Sequence, residues 1–367
     1  MATSIELRPL LRQLLEQRAP LTRDQARSLL NLILTGHATD IELAALLGAL
    51  TARGETPEEI AGFVDAMRAA ATPLPLSDAE RGILTDTCGT GGDSSGTFNI
   101  STAAALVAAA AGANRAGAAG ENRAIMVAKH GNRAVTSTSG SADVLDALGV
   151  PVDLAPEAAA AALRAHRFVY LHAPTLHPAM KAVMPVRRAL GVRTVFNLLG
   201  PLTNPAGARA QVMGVYAADR VSLVAQAMLL LDTRHAFVVH GSAGGQDETG
   251  GGLDEISISG PTQIARVRDG HISLETVTPE QFGIRRAPLS ALRGGDAATN
   301  AAILRAIFAG EPGPCRDIVL LNAAAVLVVA DCAKDLHAGI DLARQAIDSG
   351  AVTALLRDLA APVDQQP

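Results

Sequence analysis

A glycine-rich segment at residues 89–102 connects a short β-rich stretch to a long alanine-rich run. The stretch at 83–87 has the composition of a strand, and the run after the glycines predicts a helix. Glycine has no Cβ, so backbone amides in such a turn can approach a ligand closely. The amino terminus of the helix adds unpaired N–H groups and a partial positive charge. This strand–turn–helix unit predicts an anion site, most often for phosphate, although an ordinary capped turn is an equal alternative from the turn alone.

The chain around this unit divides into two kinds of pattern. Residues 1 to about 72 show helical periodicity with capping-box signals at Thr22, Thr39 and Thr56, and no strand signal. Prolines at positions 73 and 75 then predict a linker, because neither can continue a helix. Alternation beyond the linker predicts an α/β domain around a mostly parallel sheet. The expected strands are 168–172, 211–216, 236–240 and 264–268, and the expected helices are 141–149, 156–166, 219–231, 297–309 and 337–358.

Composition and charge argue against several classes of protein. The 367 residues have a formal net charge of −5 and no dense lysine or arginine run, which disfavours a nucleic-acid-binding protein. Three widely spaced cysteines predict neither a disulfide framework nor a zinc site. The amino terminus has no secretory signal pattern, and the longest apolar runs, 103–113 and 318–330, are too short to span a membrane. We therefore expect a soluble cytoplasmic protein with no nucleic-acid or membrane partner.

Three further clusters contain residue types suited to phosphate, metal and carboxylate ligands. Lys129 begins a polar run, 129–133, that predicts a loop beside the phosphate site, with a solvated charged loop as the alternative. The adjacent carboxylates Asp254 and Glu255, on a glycine-rich loop, could bind Mg²⁺ together with phosphate oxygens or lie in a solvated turn. Arg187 offers a planar fork for a carboxylate, although paired surface arginines are usually only solvated.

Taken together and in order, these motifs resemble anthranilate phosphoribosyltransferase over nearly the whole chain. The resemblance implies a small N-terminal all-helical domain, residues 1–76 joined by about 175–195, and a large α/β domain, 77–174 and 196–367. The central sheet is expected to be mostly parallel, as in nucleoside phosphorylases and phosphoribosyltransferases, and a homodimer is implied. The matching segments are 54–60 (GETPEEI), 89–93 (GTGGD), 99–102 (NIST), 129–133 (KHGNR), 177–181 (HPAMK) with its spacing to Arg187, 197–205 (NLLGPLTNP) and 253–255 (LDE).

The activity implied by the resemblance is transfer of the phosphoribosyl group of 5-phosphoribosyl 1-pyrophosphate (PRPP) to the amine of anthranilate. The products are N-(5-phosphoribosyl)anthranilate and pyrophosphate, in tryptophan biosynthesis, and two Mg²⁺ ions per active site are implied. Stabilising the charge of the leaving pyrophosphate is the main chemical task, which magnesium, a lysine and helix amides can perform. The aromatic amine is largely uncharged at neutral pH, so its positioning matters more than its deprotonation, and no general base is assigned.

Carried over residue by residue, the resemblance implies three groups of site residues. Catalytic roles fall on Lys129 and Arg187, anthranilate contacts on Gly89, Asn132 and Arg187, and metal ligands on Ser101, Asp254 and Glu255. The PRPP contacts fall on Gly89, Gly92, Asp93, Thr97, Asn99, Ile100, Ser101, Thr102, Lys129, His130, Gly131, Asn132, Arg133, Ser137 and Ser141.

Two alternative functions and two insertions accompany this interpretation. A pyrimidine nucleoside phosphorylase has the same architecture, but its lysine motif typically continues with Ser-Thr rather than with the Gly-Asn-Arg of this chain. A non-enzymatic nucleic-acid-binding relative would lack the catalytic motifs that are intact here. The insertions, at about 114–126 and 242–251, are longer than the family pattern predicts and flank the phosphate-site segments. For His130 the sequence leaves open a contact with anthranilate or a structural role.

Overall fold

The computed structural model describes residues 7–113, 125–134, 138–244 and 252–361, so most of each insertion lies outside the described residues. Its first part is a helical domain. The capping boxes predicted at Thr22, Thr39 and Thr56 are confirmed. Each threonine side chain accepts a hydrogen bond from the backbone N–H of the residue three positions later, and the side chain of that residue accepts one from the threonine N–H. The helices of this domain are α1 (Leu7–Leu15), α2 (Arg23–Leu34), α3 (Asp40–Arg53) and α4 (Pro57–Ala69).

The second part is built around a sheet that has eight strands in the described residues. Its strands are β1 (Leu84–Gly89), β2 (Met126–Gly131), β3 (Phe168–His172), β4 (Ala210–Gly214), β5 (His235–Ser242), β6 (Gly252–Leu253), β7 (Thr262–Arg268) and β8 (His271–Val277). The order is β3-β2-β1-β4-β5-β7-β8, with β6 beside β5. The first five strands in this order are parallel, and β7 and β8 continue the sheet antiparallel. The expected mostly parallel sheet is therefore confirmed.

The strand order creates a switch point in the middle of the sheet. The chain builds outward from β1 through β2 to β3, and then returns to place β4 on the other side of β1. Crossover connections leave in opposite directions from the carboxyl ends of β1 and β4, so a crevice opens between them. Open α/β sheets bind their ligands in this position.

Further helices cover both faces of the sheet. They are α5 (Asp78–Gly82), α6 (Ile100–Ala113), α7 (Ser141–Leu148), α8 (Pro156–His166), α9 (Ala173–Leu176), α10 (Met184–Leu190), α11 (Val195–Leu202), α12 (Arg220–Leu230), α13 (Ala297–Phe308), α14 (Pro314–Val329), α15 (Leu336–Asp348) and α16 (Ala351–Leu359). The apolar α14 is buried from Ile318 to Val329 and packs on α6 and α15. A helix that is apolar on all sides belongs in a core. No helix within the described ranges is long and apolar enough to cross a membrane.

Side chains from the helical domain hold it against the α/β part. The Arg68 guanidinium donates to the carbonyl oxygen of Leu202 at 2.9 Å. Glu55, between α3 and α4, pairs with Arg220 at the start of α12, with 3.1 Å between the carboxylate and the guanidinium. Val183 and Val186, at the short helix α10, are buried in the apolar core that this helix shares with α2, α3 and α4. These contacts fix the position of the crevice relative to the helical domain.

Most sequence predictions of secondary structure are confirmed to within two residues, and three need correction. The run 129–133 is predicted to be a loop, but residues 129–131 lie on β2 and pair with β3. The predicted helix 337–358 is two helices, separated by Gly350 in the left-handed region (φ 76°). Strand β8 is not predicted, because nearly all its side chains are at least partly exposed and give no alternating pattern.

Candidate active site

The glycine-rich loop runs from β1 to α6 along the edge of the crevice. Backbone φ is positive at Gly91, Gly92 and Gly96 (66°, 72° and 67°), a region that L side chains rarely adopt. The Thr90 N–H donates to the carbonyl oxygen of Gly214 at 3.0 Å, which ties the start of the loop to the end of β4. The chain therefore folds into tight turns directly over the switch point, with its amides close to the space where a ligand can enter.

Asp254 lies on the carboxyl ends of β1 and β4. A Cβ added to Gly89 would be 2.2 Å from an Oδ atom of Asp254, and one added to Gly214 would be 1.5 Å from its carbonyl oxygen. Only glycine permits this approach at the two strand ends. The Gly91 N–H then donates to the Asp254 carboxylate at 2.7 Å, so loop and carboxylate are held together.

The site contains more negative charge than its own contacts balance. Glu255 is buried and accepts the Ser101 N–H at 3.0 Å, at the amino end of α6. Burial raises the pKa of Asp254 and of Glu255 well above the usual range, and repulsion from Asp93 and between the two neighbours raises them further. A divalent cation would relieve this repulsion. No three acidic, histidine or cysteine side chains in the described part of the chain form a ready-made metal cage, so a cation here would need oxygens from a ligand, as Mg²⁺ prefers.

Lys129 is buried beside these carboxylates, with 2% of its surface exposed. Its ammonium donates to the Thr87 carbonyl oxygen at 2.6 Å and to the Ser101 hydroxyl at 3.0 Å. The sequence predicts this residue on a loop beside the phosphate site; it lies instead on β2, pointing towards α6. Its charge is therefore fixed in the floor of the site rather than brought by a moving segment.

Asn99 is held by a residue that the sequence analysis missed. Asn300, 2% exposed on α13, accepts the Gly295 N–H at 2.8 Å and donates its amide to the Asn99 side-chain oxygen at 2.9 Å. Asn99 in turn donates to the Ser139 carbonyl oxygen at 3.3 Å. The sequence does contain a signal for this role, because Asn300 is a polar residue at a position of the predicted helix 297–309 where the periodicity favours an apolar one. The chain of bonds fixes which way the Asn99 amide faces.

Other expected PRPP residues lie along the same loop and the start of α6. The Thr102 hydroxyl is buried without a hydrogen-bond partner among the described residues, which suits a ligand contact. Thr97 forms an isolated bridge with Arg293, on the connection before α13. The side chain of Ile100 is buried in the core and its N–H donates to the Phe98 carbonyl oxygen at 2.8 Å, so neither is directed at the crevice.

The segment after β2 forms one wall of the site. The Ser141 hydroxyl lies 3.0 Å from the Tyr170 hydroxyl and donates to the Asn132 carbonyl oxygen at 3.3 Å. Gly131 lies beneath them, since a Cβ there would be 2.4 Å from the Ser141 hydroxyl oxygen. Arg133 is directed away: its guanidinium pairs with the carboxylates of Asp143, Asp146 and Asp153 at 3.2, 2.6 and 3.5 Å. Ser137 lies outside the described residues.

His130 faces the opposite side of the sheet from Lys129, as successive strand residues do. It is buried, its Nδ1 lies 3.2 Å from the Gly200 carbonyl oxygen, and its ring is 5.1 Å from that of His177. Burial lowers the pKa of His130 to about 3, with a further contribution from His177. His130 is therefore neutral and belongs to the packing of β2 on α11, away from the glycine-rich loop.

Arg187 provides a half-buried cation on α10, the short helix that packs against α3 of the helical domain. Its guanidinium lies over the Phe196 ring at 5.2 Å and makes one long contact with the Met184 sulfur at 3.9 Å. Burial lowers the pKa of this guanidinium. No carboxylate in the described ranges lies within ion-pair distance of it. A half-buried arginine with apolar neighbours and no anionic partner is suited to a planar carboxylate ligand.

Comparisons with known proteins identify the family to which this architecture is similar. Residues 8–71 match the model of the glycosyl transferase family helical bundle domain, and residues 81–353 match the model of the glycosyl transferase family a/b domain. Anthranilate phosphoribosyltransferase of Symbiobacterium thermophilum is 47% identical over 350 residues, which cover 95% of this chain and 96% of the relative. The enzyme of Chloroflexus aggregans is 50% identical over 335 residues, 91% and 92% of the two chains.

Solved structures show the same similarity. The crystal structure of anthranilate phosphoribosyltransferase from Thermus thermophilus superposes with a TM-score of 0.84 at 40% identity, covering 95% of this chain and 98% of that one. The Saccharomyces cerevisiae enzyme in complex with PRPP and Mg gives a TM-score of 0.81 at 26% identity, covering 96% of each chain. The same enzyme in complex with 4-fluoroanthranilate gives 0.80 at 25% identity, again covering 96% of each chain.

Replacement of Gly214 by alanine tests the close approach at the switch point. We expect Gly214→Ala to destabilise the fold by about 1–3 kcal/mol, because the new methyl group overlaps the Asp254 backbone. Chemical denaturation measures the free energy of unfolding. Gly48→Ala is the control, since a Cβ there meets no atom within 4 Å and the position is inside α3. Equal stability of the two variants would contradict the described seating of Asp254.

Proposed function

The chain belongs to the anthranilate phosphoribosyltransferase family, and from this membership we infer that it transfers the phosphoribosyl group of PRPP to the amine of anthranilate. The products are N-(5-phosphoribosyl)anthranilate and pyrophosphate, in tryptophan biosynthesis. The observation that supports this most is one arrangement at the switch point. A glycine-rich loop, a buried lysine and two repelling carboxylates meet there, and Arg187 has no carboxylate partner among the described residues.

PRPP is proposed to bind along the glycine-rich loop and the amino end of α6. The loop amides and the helix terminus suit its phosphate oxygens. The buried Thr102 hydroxyl and the Ser101 hydroxyl supply donors, and Lys129 holds positive charge against the developing pyrophosphate. In this proposal the buried side chains of Ile100 and His130 and the ion-paired Arg133 support the site, and Gly131 lies in its wall under Ser141. The remaining surface is lined, in this proposal, by Gly89, Gly92, Asp93, Thr97, Asn99, Asn132 and Ser141.

Magnesium is the proposed cofactor, with two ions per site. The Saccharomyces cerevisiae relative binds Mg together with PRPP. Asp254, Glu255 and Ser101 offer the hard oxygen ligands that this ion requires, and the repulsion between the two buried carboxylates is what a divalent cation would relieve. When bound, the ion neutralises charge on the diphosphate. The protein contributes the rigid position of the carboxylates on the strand ends.

Anthranilate is proposed to bind between Arg187 and the end of β2. Its carboxylate would take the guanidinium fork, while Asn132 and Gly89 lie across the crevice. This arrangement holds the amine close to the anomeric carbon of PRPP, and positioning of this kind accounts for much of the catalysis. As the amine nitrogen forms its bond to the anomeric carbon, the bond from that carbon to pyrophosphate breaks, and the carbon is cationic in the transition state. The nitrogen then loses one proton to solvent.

The assembly and boundaries are also part of the proposal. We place the helical domain at residues 1–76, joined by about 175–195, and the α/β domain at 77–174 and 196–367. The packing of α10 in the apolar core that it shares with α2, α3 and α4 supports the assignment of residues 175–195 to the helical domain. A cytoplasmic homodimer is expected from the family resemblance. A coupled assay of anthranilate consumption with PRPP and Mg²⁺ tests the activity, and folded protein without turnover would contradict it.

The carboxylate pair should govern the magnesium dependence. We expect Asp254→Asn and Glu255→Gln each to raise the half-saturating Mg²⁺ concentration by roughly tenfold or more, because each removes a charged oxygen ligand. Initial rates over a magnesium titration measure this. Asp269→Asn, in an exposed turn, is the control. A magnesium titration that stays unchanged in both variants would argue that the pair has a structural role.

Lys129 should act on PRPP rather than on anthranilate. Lys129→Met keeps much of the length of the side chain and removes its charge, which should cost about 1.5–3 kcal/mol of PRPP interaction, or roughly tenfold to a hundredfold in its KM. Steady-state kinetics with each substrate varied in turn measure the effect. Lys334→Met, at an exposed position outside the site, is the control. A change confined to the KM for anthranilate would show that the lysine serves the other substrate.

Arg187 should recognise the carboxylate of anthranilate. We expect Arg187→Ala to raise the KM for anthranilate far more than that for PRPP, and Arg187→Lys to recover only part of the loss, because lysine keeps the charge without the fork. Arg188→Ala, on the exposed side of the same helix, is the control. Equal damage to both substrates would mean that Arg187 holds the domains together, and full recovery by lysine would exclude a bidentate contact.

A further inference from the structure

Arg193 links the segment that carries Arg187 to the glycine-rich loop. It lies in the connection between α10 and α11, and its Nη2 donates to the carbonyl oxygen of Gly92. Its guanidinium lies over the ring of Tyr216, 4.6 Å from the ring centroid. Resting on the proposed function, we propose that Arg193 is a positioning residue for PRPP. It fixes the orientation of the peptide between Gly92 and Asp93, and thereby the amides that face the diphosphate.

The hydrogen bond to the Gly92 carbonyl oxygen can set the orientation of a peptide in the glycine-rich loop. Gly92 has φ of 72°. A glycine can adopt both positive and negative φ values, so without a further contact the peptides beside Gly92 could take other orientations. A trans peptide is planar, so holding its carbonyl oxygen against Arg193 directs the Asp93 N–H the opposite way. The Gly91 amide is fixed as well, because its N–H donates to Asp254 at 2.7 Å. Two peptides of the loop therefore have their orientations set by side chains from elsewhere in the chain.

The Arg193 guanidinium is itself held in place by a platform on the α/β domain. The Tyr216 N–H donates to the Thr90 hydroxyl at 3.0 Å, and the Thr90 N–H donates to the Gly214 carbonyl oxygen at 3.0 Å. The ring is therefore anchored beside the end of β4, at the base of the loop that Arg193 contacts. A planar guanidinium that stacks on one group and donates in its own plane to another is oriented more strictly than a lysine would be.

The partners of Arg193 distinguish it from an ordinary surface arginine. No carboxylate within the described ranges lies in ion-pair distance of its guanidinium, and its hydrogen-bond acceptor is a backbone oxygen of the loop. Arg188, on the same segment, is exposed and makes no such contact, and so is a matched control. Helix α10, which carries Arg187, is anchored by Val183 and Val186 in the apolar core that it shares with α2, α3 and α4. Loss of Arg193 should therefore disturb the loop and leave the anthranilate arginine in place.

Kinetics of Arg193→Ala, Arg193→Gln, Arg193→Lys and Arg188→Ala test the proposal. We expect the alanine variant to raise the KM for PRPP by roughly tenfold, with kcat and the KM for anthranilate changed by less than about twofold. Glutamine should recover part of the loss, because its amide can donate to the Gly92 carbonyl without charge. Isothermal titration of each folded variant with PRPP and Mg²⁺ should show the same order of dissociation constants, and Arg188→Ala should match the wild type.

Replacement of Tyr216, whose ring lies under the Arg193 guanidinium, gives an independent test. Tyr216→Leu removes the stacking surface and should raise the KM for PRPP in the same direction, whereas Tyr216→Phe should change it little. The double variant Arg193→Ala/Tyr216→Leu should be no worse than Arg193→Ala, because the tyrosine acts through the arginine. The proposal is overturned by an unchanged KM for PRPP in the alanine variant, by equal rises for both substrates, or by full recovery with lysine and none with glutamine. The wild-type protein is assayed alongside the variants. If it turns over anthranilate and PRPP, these outcomes contradict the role of Arg193; if it does not, the proposed activity itself is wrong.

Discussion

The site depends on the contact of Asp254 with two strand ends, through its side chain at the end of β1 and through its backbone at the end of β4. It requires glycine at both strand ends, Gly89 and Gly214, because a single methyl group would occupy the space of the aspartate. The close approach places a carboxylate within reach of an early amide of the glycine-rich loop and puts Glu255 at the amino end of α6. Loop, helix terminus and acidic pair are thus assembled by packing at one point of the sheet. The crevice has its place because the strand order reverses there.

The two faces of the sheet separate the charged Lys129 side chain from the neutral ring of His130. Lys129 and His130 are neighbours in sequence but point to opposite sides of β2, one toward α6 and the other toward α11. The lysine remains close to the carboxylates, where its charge is useful, and the histidine is buried as a neutral ring with a strongly lowered pKa. On the helical side, Arg187 keeps its charge without a protein anion among the described residues. The site therefore combines a buried lysine and two carboxylates at the strand ends with a separate arginine on α10.

Local signals could be read correctly from the sequence, and long-range burial could not. The capping boxes at Thr22, Thr39 and Thr56 depend on four consecutive residues, so the sequence alone determines them. The polar run at 129–131 favours a loop because a buried lysine on a central strand is rare, and only its bonds to residues of β1 and α6, distant in sequence, make it possible. Arg193 likewise acts on the glycine-rich loop across a long sequence separation. The motif residues could be named in advance; which of them face the crevice could not.

The scarcity of aromatic residues gives the molecule an optical property. The chain has no tryptophan and only two tyrosines. Tyr170 shares a hydrogen bond with Ser141, and Tyr216 lies under the Arg193 guanidinium, so both phenols border the crevice. At the wavelengths where tyrosine absorbs and fluoresces, the spectra of the unliganded protein therefore arise from the walls of this one site. The protein carries its own spectroscopic reporter there, and the rest of its structure contributes almost nothing to that part of the spectrum.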